Sequence, residues 1–346
     1  MSAVVQEKIH LTDLSPAQIS EALGIEGYRG KQIFKWIHQK RVFDVESMTD
    51  LSKALRERLA TECSVNRLAL VKESASPKSG TKKVLLRLDD GETIESVLLR
   101  DRDRITLCIS TQAGCPLKCS FCATGVSGFA RNLGPGEIVE QALFLVKDED
   151  LGERTPNVVF MGMGEPFRNY DASVAAVKLL KSDDGLGIGA RKITVSTAGE
   201  LPGIYAFAEE GWQVRLSVSL HAANDELRDE LVPLNRRYDL TKLHEAVEHY
   251  TERTGRQMTF EWTLLEGVND RAQDIEELSA YAGPLQAFVN LIPYNPVQGL
   301  PYRPPTRMAC ERFRDALIGR GIKATLRVER GQDIDAACGQ LRRLAG

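Results

Sequence analysis

Three closely spaced cysteines carry the clearest chemical signal in this sequence. Cys115, Cys119 and Cys122 follow a C-x3-C-x2-C pattern within eight residues, just after a strand-like run. Three neighbouring thiolates cannot all pair with one another as disulfides, and their repulsion favours a shared metal centre. Zinc sites prefer four protein ligands, usually in two spaced pairs. The pattern therefore favours a [4Fe-4S] cluster with one iron open to a non-protein ligand, while a zinc loop or three core cysteines are the alternatives.

The composition is that of an ordinary globular protein. The chain has 346 residues, of which 42% are hydrophobic and 27% charged, with a net charge of −3. This length suits one large α/β domain with an accessory module. The amino terminus lacks a signal-peptide pattern and no apolar run reaches 18 residues, so we expect a cytoplasmic protein without a membrane partner. Seven cysteines, an odd and clustered set, favour metal and redox chemistry in a reducing compartment.

Helical patterns dominate residues 11–64. Ser15, which precedes a proline, is typical of a helix start, and Gly27 is expected to end that helix. Residues 28–41 form an amphipathic stretch with five Lys or Arg, three aromatic residues and no acidic residue. Its basic side chains are Arg29, Lys31, Lys35, Lys40 and Arg41. They form either a solvated helix face or a phosphate-contacting surface for RNA. A third helix is predicted around residues 53–62.

Strand and helix patterns follow in an order that predicts the fold. Short antiparallel strands are predicted at 68–72, 82–88 and 93–99, where the apolar period is two. Further strands are predicted at 105–110, 157–163, 192–197, 214–220, 258–265 and 287–293, with a last one at 323–328. The helices between them are predicted at 136–147, 172–181, 240–253, 273–282 and 306–320. The pattern predicts an α/β fold, a partial (β/α)6 barrel with an amino-terminal helical module and a small antiparallel β extension. The expected domains are a helical RNA-binding domain at 1–66, the extension at 67–100, the barrel at 101–333 and a carboxyl-terminal loop at 334–346.

The cysteine pattern resembles the cluster-binding loop of the radical S-adenosylmethionine (SAM) enzymes. In that superfamily the open iron binds the amino and carboxylate groups of SAM, and an electron from the cluster cleaves SAM to methionine and a 5'-deoxyadenosyl radical. The resemblance implies a [4Fe-4S] cluster, SAM and an electron donor. It also implies that the predicted fold is a partial radical SAM barrel.

Glycine-rich and polar loops follow the predicted barrel strands, and parallel barrels carry their chemistry at these carboxyl ends. A SAM site needs an acceptor for an ammonium, small residues for close backbone approach and polar groups for a sugar. Glu165, with Gly162 and Gly164 before it, fits the first two needs. The candidates for the sugar contacts are Ser196, Ser219 and Asn295.

Two further cysteines and the surrounding motifs make the resemblance more specific. Cys108 lies in the first predicted barrel strand, and Cys338 lies in a segment rich in small residues after the last strand. Cys63 and Cys310 are predicted core residues. The motifs are TLCIS (106–110), CPLKCSFCATG (115–125), FMGMGEP (160–166), SVSLHA (217–222) and DIDAACGQL (333–341). Together they resemble the RlmN family, dual-specificity radical SAM methyltransferases that place a methyl on carbon 2 of an adenosine in 23S rRNA and in tRNA anticodon loops.

The resemblance implies a role for each matching residue. The cluster ligands would be Cys115, Cys119 and Cys122. The SAM contacts would be Gly164, Glu165, Ser196, Ser219, Leu220, His221 and Asn295. Glu95 would be the proton acceptor, Cys338 the methyl carrier and Cys108 its resolving partner. Two SAM molecules would be used, one to methylate Cys338 and one to supply the radical that activates this methyl. Release of the RNA would leave a Cys108–Cys338 disulfide, which a thiol reductant must open.

Two other functions compete with this interpretation. A sister family of antibiotic-resistance methylases modifies carbon 8 of the same type of adenosine, but Pro166 stands where we expect alanine in that group. A non-catalytic iron–sulfur or zinc RNA-binding protein would leave Glu95, Cys108 and Cys338 without roles. As partners we expect rRNA and tRNA, held by residues 28–41 and by residues 302–343, where ten Lys or Arg face five Asp or Glu. The protein is expected to be a monomer.

Overall fold

The computed structural model describes residues 8–152, 154–328 and 330–342. The ends of the predicted segments 1–66 and 334–346, including Arg343 of the basic carboxyl-terminal stretch, lie outside the described residues. Strands of the predicted extension and of the predicted barrel belong to one sheet. The division into four domains stays a prediction.

The order of helices and strands follows the predicted alternation. The described residues form eleven α-helices: α1 (Pro16–Leu23), α2 (Gly27–Phe34), α3 (Lys53–Glu62), α4 (Ala123–Val126), α5 (Pro135–Val146), α6 (Tyr170–Lys181), α7 (Leu201–Glu209), α8 (Asp225–Leu231), α9 (Leu240–Thr254), α10 (Ala272–Ala282) and α11 (Arg307–Gly319). The same residues form fourteen strands: β1 (Ile9–His10), β2 (Cys63–Ser64), β3 (Ala69–Ala75), β4 (Lys82–Arg87), β5 (Thr93–Asp101), β6 (Arg104–Cys108), β7 (Gln112–Gly114), β8 (Phe129–Asn132), β9 (Asn157–Phe160), β10 (Ile193–Thr197), β11 (Arg215–Ser219), β12 (Thr259–Leu264), β13 (Phe288–Pro293) and β14 (Lys323–Leu326).

Local sequence sets the start and end of the first helix. Ser15 caps α1, because its hydroxyl accepts a hydrogen bond from the backbone N–H of Gln18, while the Gln18 side chain accepts one from the Ser15 N–H. Gly24, with a φ of +59°, ends α1 in the left-handed conformation that glycine adopts at little cost. The prediction that Gly27 ends this helix is wrong, since Gly27 is the first residue of α2.

The basic side chains of residues 28–41 make contacts within the protein. Lys31 and Lys35 both pair with Asp184, at 3.0 and 3.5 Å. The Nζ of Lys40 lies 3.3 Å from the centre of the Trp36 ring, a cation–π contact. The lysines that pair with Asp184 are still about half exposed, so a role of this face in RNA binding stays a prediction.

The central element is a curved sheet whose described strands run in the order β14-β13-β12-β11-β10-β9-β6-β5-β4-β3. Strands β3 to β6 pair antiparallel, whereas β6 and β9 to β14 pair parallel. The outermost described strands, β14 and β3, do not pair with each other, so the barrel is partial. The fold class predicted from the sequence is confirmed.

The two faces of the sheet differ in polarity. On β12, Phe260, Trp262 and Leu264 are fully buried. The alternate residues Thr259 and Glu261 face a cavity of about 1490 Å³, which we call the lumen. This alternation on successive strands places apolar side chains in the core and polar side chains in the lumen.

A carboxyl-terminal segment, residues 331–342, packs against the residues that follow the predicted cluster loop. The carbonyl of Gly339 accepts a hydrogen bond of 2.8 Å from the N–H of Ala123, and the carbonyl of Leu341 accepts one of 2.5 Å from the Thr124 hydroxyl. Both donors come directly after the third cysteine of the predicted cluster loop. None of the helices formed by the described residues is both long and apolar enough to cross a membrane.

Candidate active site

The cluster loop, residues 115–122, is held in the turn of a small hairpin. Strands β7 and β8 pair antiparallel on either side of it, a hairpin that the sequence analysis did not predict. The N–H of Cys115 donates to the carbonyl of Gly128 at 2.9 Å. Gly114 has a φ of +83°, and a Cβ there would lie 1.9 Å from the Gly128 carbonyl oxygen. Only glycine therefore allows the two strands to meet at the base of the loop.

The three thiols of the cluster loop are close enough to influence one another. Burial, with a smaller contribution from negative charge on Cys122, raises the pKa of Cys115 to about 12. Burial raises the pKa of Cys119 as well, and both neighbouring cysteines add to this shift. A cationic centre is what such thiols need to ionise.

The choice between a cluster and a single ion at these thiols follows from their spacing in the sequence. Within the described residues, no three His, Cys, Asp or Glu side chains are grouped closely enough to hold one metal ion. A zinc ion draws its ligands to about 2.3 Å from one centre, whereas a [4Fe-4S] cluster spreads its thiolates over several irons. An iron–sulfur cluster held by Cys115, Cys119 and Cys122 stays a prediction at this point.

Glu165 lies buried between two loops that follow strands. Its Oε1 accepts from the N–H of Phe167 at 3.1 Å and its Oε2 accepts from the N–H of Ala198 at 2.8 Å. Burial raises the pKa of Glu165 to about 7, although these hydrogen bonds lower it. The Thr197 hydroxyl is a third donor to this carboxylate. A carboxylate has about four acceptor sites, so one remains for an ammonium. The loop comes this close because Gly164, at a φ of +106°, has no Cβ to meet the Gln112 side chain 2.7 Å away.

The ends of β10 and β11 carry three of the predicted SAM contacts. Ser196 and Ser219 lie in the last two positions of these strands, and Leu220 follows Ser219. The Leu220 side chain is fully buried, and its carbonyl accepts from Nε of Arg228 at 3.1 Å. Its N–H also donates to the carbonyl of Glu261 at 3.0 Å. The contact of Leu220 with SAM stays a prediction.

His221 is a neutral residue with a fixed orientation. Its Nδ1 accepts a hydrogen bond of 3.0 Å from the N–H of Thr263, so the ring proton lies on Nε2. Burial, and secondarily the charge of Arg228, lower the pKa of His221 to about 3. The ring meets Phe121 of the cluster loop edge-on at 4.6 Å. His221 therefore offers a single fixed donor beside the cluster loop.

Cys108 and Cys338 both line the lumen, although 230 residues separate them in the chain. All seven cysteines lie within the described residues, and no disulfide joins any two of them. Burial, and secondarily negative charge on Cys338, raise the pKa of Cys108 to about 12. Nη1 of Arg327 donates to Sγ of Cys338 at 3.1 Å. The charges of Cys338 and Glu261 raise the pKa of Arg327, so its guanidinium stays positive beside the thiol.

Asn295 connects the end of β13 to the carboxyl-terminal segment. Its Nδ2 donates to the carbonyl of Cys338 at 3.1 Å, and its Oδ1 accepts from Nε2 of Gln332 at 2.8 Å. Its amide thus positions the segment that carries Cys338. The contact of Asn295 with SAM stays a prediction.

Glu95 of β5 is buried and also contacts the carboxyl-terminal segment. Its Oε1 lies 2.9 Å from Nζ of Lys83, and its Oε2 accepts from the N–H of Arg342 at 2.9 Å. The same Lys83 ammonium donates to the carbonyl of Asp335 at 2.9 Å. Glu95 is therefore a paired carboxylate at the base of the segment that carries Cys338.

Comparison with known proteins decides the family. A profile of the radical SAM superfamily matches residues 109–280, and one of the ribosomal RNA large subunit methyltransferase N-terminal domain matches residues 9–65. A probable dual-specificity RNA methyltransferase RlmN of Heliobacterium modesticaldum is 47% identical over 348 residues, which cover 97% of this chain and 90% of the relative. The RlmN relative of Thermotoga maritima is 47% identical over 321 residues, 92% of each chain. This chain belongs to the RlmN family.

A solved structure agrees with this assignment. A radical SAM methyltransferase from Sphaerobacter thermophilus matches 96% of this RlmN-family chain and 99% of its own length, with a TM-score of 0.92 and 46% identity. The chain is thus a SAM-dependent RNA methyltransferase, and the radical SAM family implies a [4Fe-4S] cluster and SAM.

Four residues of the RlmN-family site were missed in the sequence analysis: Lys83, Arg228, Glu261 and Arg327. Glu261 and Arg327 were detectable in principle, because each is charged and alternates with apolar residues in a strand. Arg228 links two loops by donating hydrogen bonds to the carbonyls of Ala198 and Leu220. No local sequence pattern predicts these contacts. Cys63 and Cys310 are buried in the core, as expected.

Proposed function

We propose that this protein places a methyl on carbon 2 of an adenosine in 23S rRNA and of an adenosine in tRNA anticodon loops. The observation that carries this proposal is that Cys108 and Cys338 face one lumen, close to the cluster loop. A radical SAM enzyme of another class has no need of a second pair of cysteines there. The RlmN name of the relatives supports the same substrates.

Carbon 2 of adenine sets the chemical problem. It is an electron-poor aromatic carbon, so it cannot attack the methyl of SAM as an oxygen or a ring nitrogen can. The bound cluster and SAM would supply a transferable methyl and one-electron chemistry. Cys115, Cys119 and Cys122 would hold the cluster. The SAM contacts would come from Gly164, Glu165, Ser196, Ser219, Leu220, His221 and Asn295.

Cys108 and Cys338, which line the lumen, would carry the methyl and release the product together with Glu95, which contacts the carboxyl-terminal segment. Cys338 would accept the methyl on its sulfur, with Arg327 directing that sulfur into the lumen. Glu95 would accept the proton lost from carbon 2. The Cys108 sulfur would then attack the Cys338 sulfur and leave a disulfide. This attack would break the bond between the Cys338 sulfur and the RNA-bound carbon, whose electron pair stays with the RNA product. The two cysteines thereby lose two electrons to the product, so an external thiol reductant must open the disulfide.

The location, oligomeric state and reductants of the protein complete the proposal. We expect a cytoplasmic monomer that depends on an electron donor and on the thiol reductant. Sedimentation of the purified protein, with and without RNA, tests the monomer. A stable dimer without RNA would contradict it.

The deciding experiment is nucleoside mass spectrometry on unmodified rRNA and tRNA fragments. The fragments are incubated anaerobically with cluster-reconstituted protein, SAM and a reductant. A methyl on carbon 2 of adenosine in both RNAs is the expected result. A methyl on carbon 8 would assign the carbon-8 reaction, and SAM cleavage without any methyladenosine would show that the substrate is wrong.

A further inference from the structure

Positive charge is concentrated around the lumen. The described residues that line it include nine Lys or Arg and two Asp or Glu, although the whole chain has a net charge of −3. Such a local excess creates a positive potential that attracts anions. The lumen itself therefore indicates a polyanionic ligand, whereas the overall charge does not.

Six of these basic residues lie where the barrel strands begin or in the turn before them. Arg104 is the first residue of β6 and Arg215 the first of β11. The parallel strands all begin at one end of the barrel, opposite the end where the cluster loop and Glu165 lie. We call this group the basic rim. It comprises Arg102, Arg104, Arg191, Lys192, Arg215 and Arg256.

Half of the basic rim is available for a ligand. Among the described residues, three of its side chains have no hydrogen-bond or ion-pair partner and are exposed, namely those of Arg102, Arg191 and Arg215. Lys31 and Lys35 of the amino-terminal module, by contrast, already share Asp184. Arginine without a partner at the mouth of a cavity is suited to bind phosphate.

The path inward from the basic rim carries polar side chains among apolar ones. Its polar residues are Thr106, Thr194, Ser217, Thr259 and Asn290, and Val159 and Phe288 lie among them. From Arg104 to Cys108 the strand advances four residues, about 13 Å at roughly 3.3 Å per residue. This depth and mixed lining suit a single extruded nucleotide, which base-modifying enzymes require, because its base has apolar faces and a polar rim.

We propose that the basic rim binds the phosphates of the RNA. The target adenosine then enters the lumen from the end of the barrel where the strands begin, opposite the expected SAM site. The inference that the polyanion is RNA rests on the proposed function. The RNA must be a loop or a single strand at this point, because only an unstacked nucleotide passes between the strand ends. The methyl carrier Cys338 lies at the inner end of the path, where the two substrates meet.

The test compares two charge-reversal pairs. In Arg191→Glu/Arg215→Glu the rim loses two free cations, whereas Lys72→Glu/Arg87→Glu makes the same change in charge at exposed positions of β3 and β4, outside the lumen. The affinity for a fluorescent RNA hairpin is measured by anisotropy at several salt concentrations, with the cluster in place. We expect the rim pair to weaken binding on the order of 100-fold and the β3/β4 pair less than threefold.

A second double variant separates the loss of charge from misfolding. Arg191→Ala/Arg215→Ala removes the charges without adding acidic groups, and it should weaken binding roughly tenfold. It should also reduce the slope of log affinity against log salt by about 1.4, since two contacts with single-stranded phosphates are lost. Methylation of Cys338 by SAM without RNA, measured by mass spectrometry, should stay at the wild-type level in both rim pairs.

Unchanged binding by the alanine pair overturns the proposal, and so does an equal loss in the β3/β4 pair. The result is independent of the reaction, because binding is measured without turnover. Wild-type protein that binds the hairpin without methylating it would refute the proposed function and leave the comparison of the pairs intact.

Discussion

Nη1 of Arg327 donates a hydrogen bond of 3.1 Å to Sγ of Cys338, and the two residues are eleven positions apart in the chain. A hydrogen bond to a charged partner is worth about 1.5–3 kcal/mol. In Arg327→Gln, methylation of the Cys338 sulfur should therefore be slower by roughly tenfold or more, because the positive donor beside the sulfur is lost. Mass spectrometry of the peptide that contains Cys338, after timed incubation with SAM, measures this rate. Arg327→Lys should restore part of it, and an unchanged rate in Arg327→Gln would remove Arg327 from the reaction.

The pair Cys108 and Cys338 predicts a trapped product. In Cys108→Ala, methylation of Cys338 should proceed while the RNA stays attached to Cys338, because no thiol is available to attack its sulfur. Denaturing gel electrophoresis should show a protein–RNA band. Cys310→Ala, a change at a buried cysteine outside the lumen, is the control and should show none. Release of methylated RNA at the wild-type rate from Cys108→Ala would disprove the resolving role.

Glu95 predicts a second way to trap the RNA. In Glu95→Gln the proton acceptor is lost but the shape is kept, so attached RNA should accumulate while methylation of Cys338 continues. Glu95→Asp keeps the carboxylate and should restore some release. Equal product release by Glu95→Gln and wild type, measured by nucleoside analysis, would show that another group takes the proton.

The hydrogen bond from Thr124 to the Leu341 carbonyl predicts a change in local dynamics. Thr124→Val removes the donor and leaves a buried carbonyl without a partner, which costs about 1–3 kcal/mol. Amide hydrogen exchange of residues 331–342 should become faster, while exchange in α9, Leu240–Thr254, should not change. Thr124→Ser keeps the hydroxyl and serves as the control. Unchanged exchange would show that other contacts hold the segment.

His38 predicts a dependence of stability on pH. It is buried against Phe34 at a ring distance of 3.9 Å, its Nε2 has no partner within the described residues, and burial lowers its pKa to about 3. The folded state thus resists protonation that the unfolded state accepts below about pH 6.5. Stability is lost as the pH falls from 6.5 towards 3, by about 2 kcal/mol between pH 7 and pH 5.

Denaturant unfolding of wild type and His38→Leu at both pH values measures this effect. The difference between pH 7 and pH 5 should be smaller in the variant by about 2 kcal/mol. Other groups titrate equally in both proteins, so they cancel in this comparison. An equal difference in the two proteins would show that His38 does not titrate during unfolding.

Local features of the sequence predicted much of the fold and part of the site. The C-x3-C-x2-C spacing identified the cluster loop, because neighbouring thiols stay neighbours in any fold. Alternating strand and helix periods predicted the parallel barrel, and the fold class is confirmed. The end of α1 was misjudged, since Gly24 and Gly27 both interrupt an apolar pattern and only the backbone conformation distinguishes them.

Contacts between distant segments were beyond the reach of pattern alone. The local pattern marks Glu95 only as a charged residue within a predicted strand, and its partners Lys83 and Arg342 lie on another strand and at the far end of the chain. The basic rim is formed by strand starts more than a hundred residues apart, from Arg104 to Arg256. The sequence by itself determined which chemistry the chain carries, through residue types at short spacing. Only the tertiary structure decided which charges meet in the lumen, because curvature of the sheet brings its strand ends together.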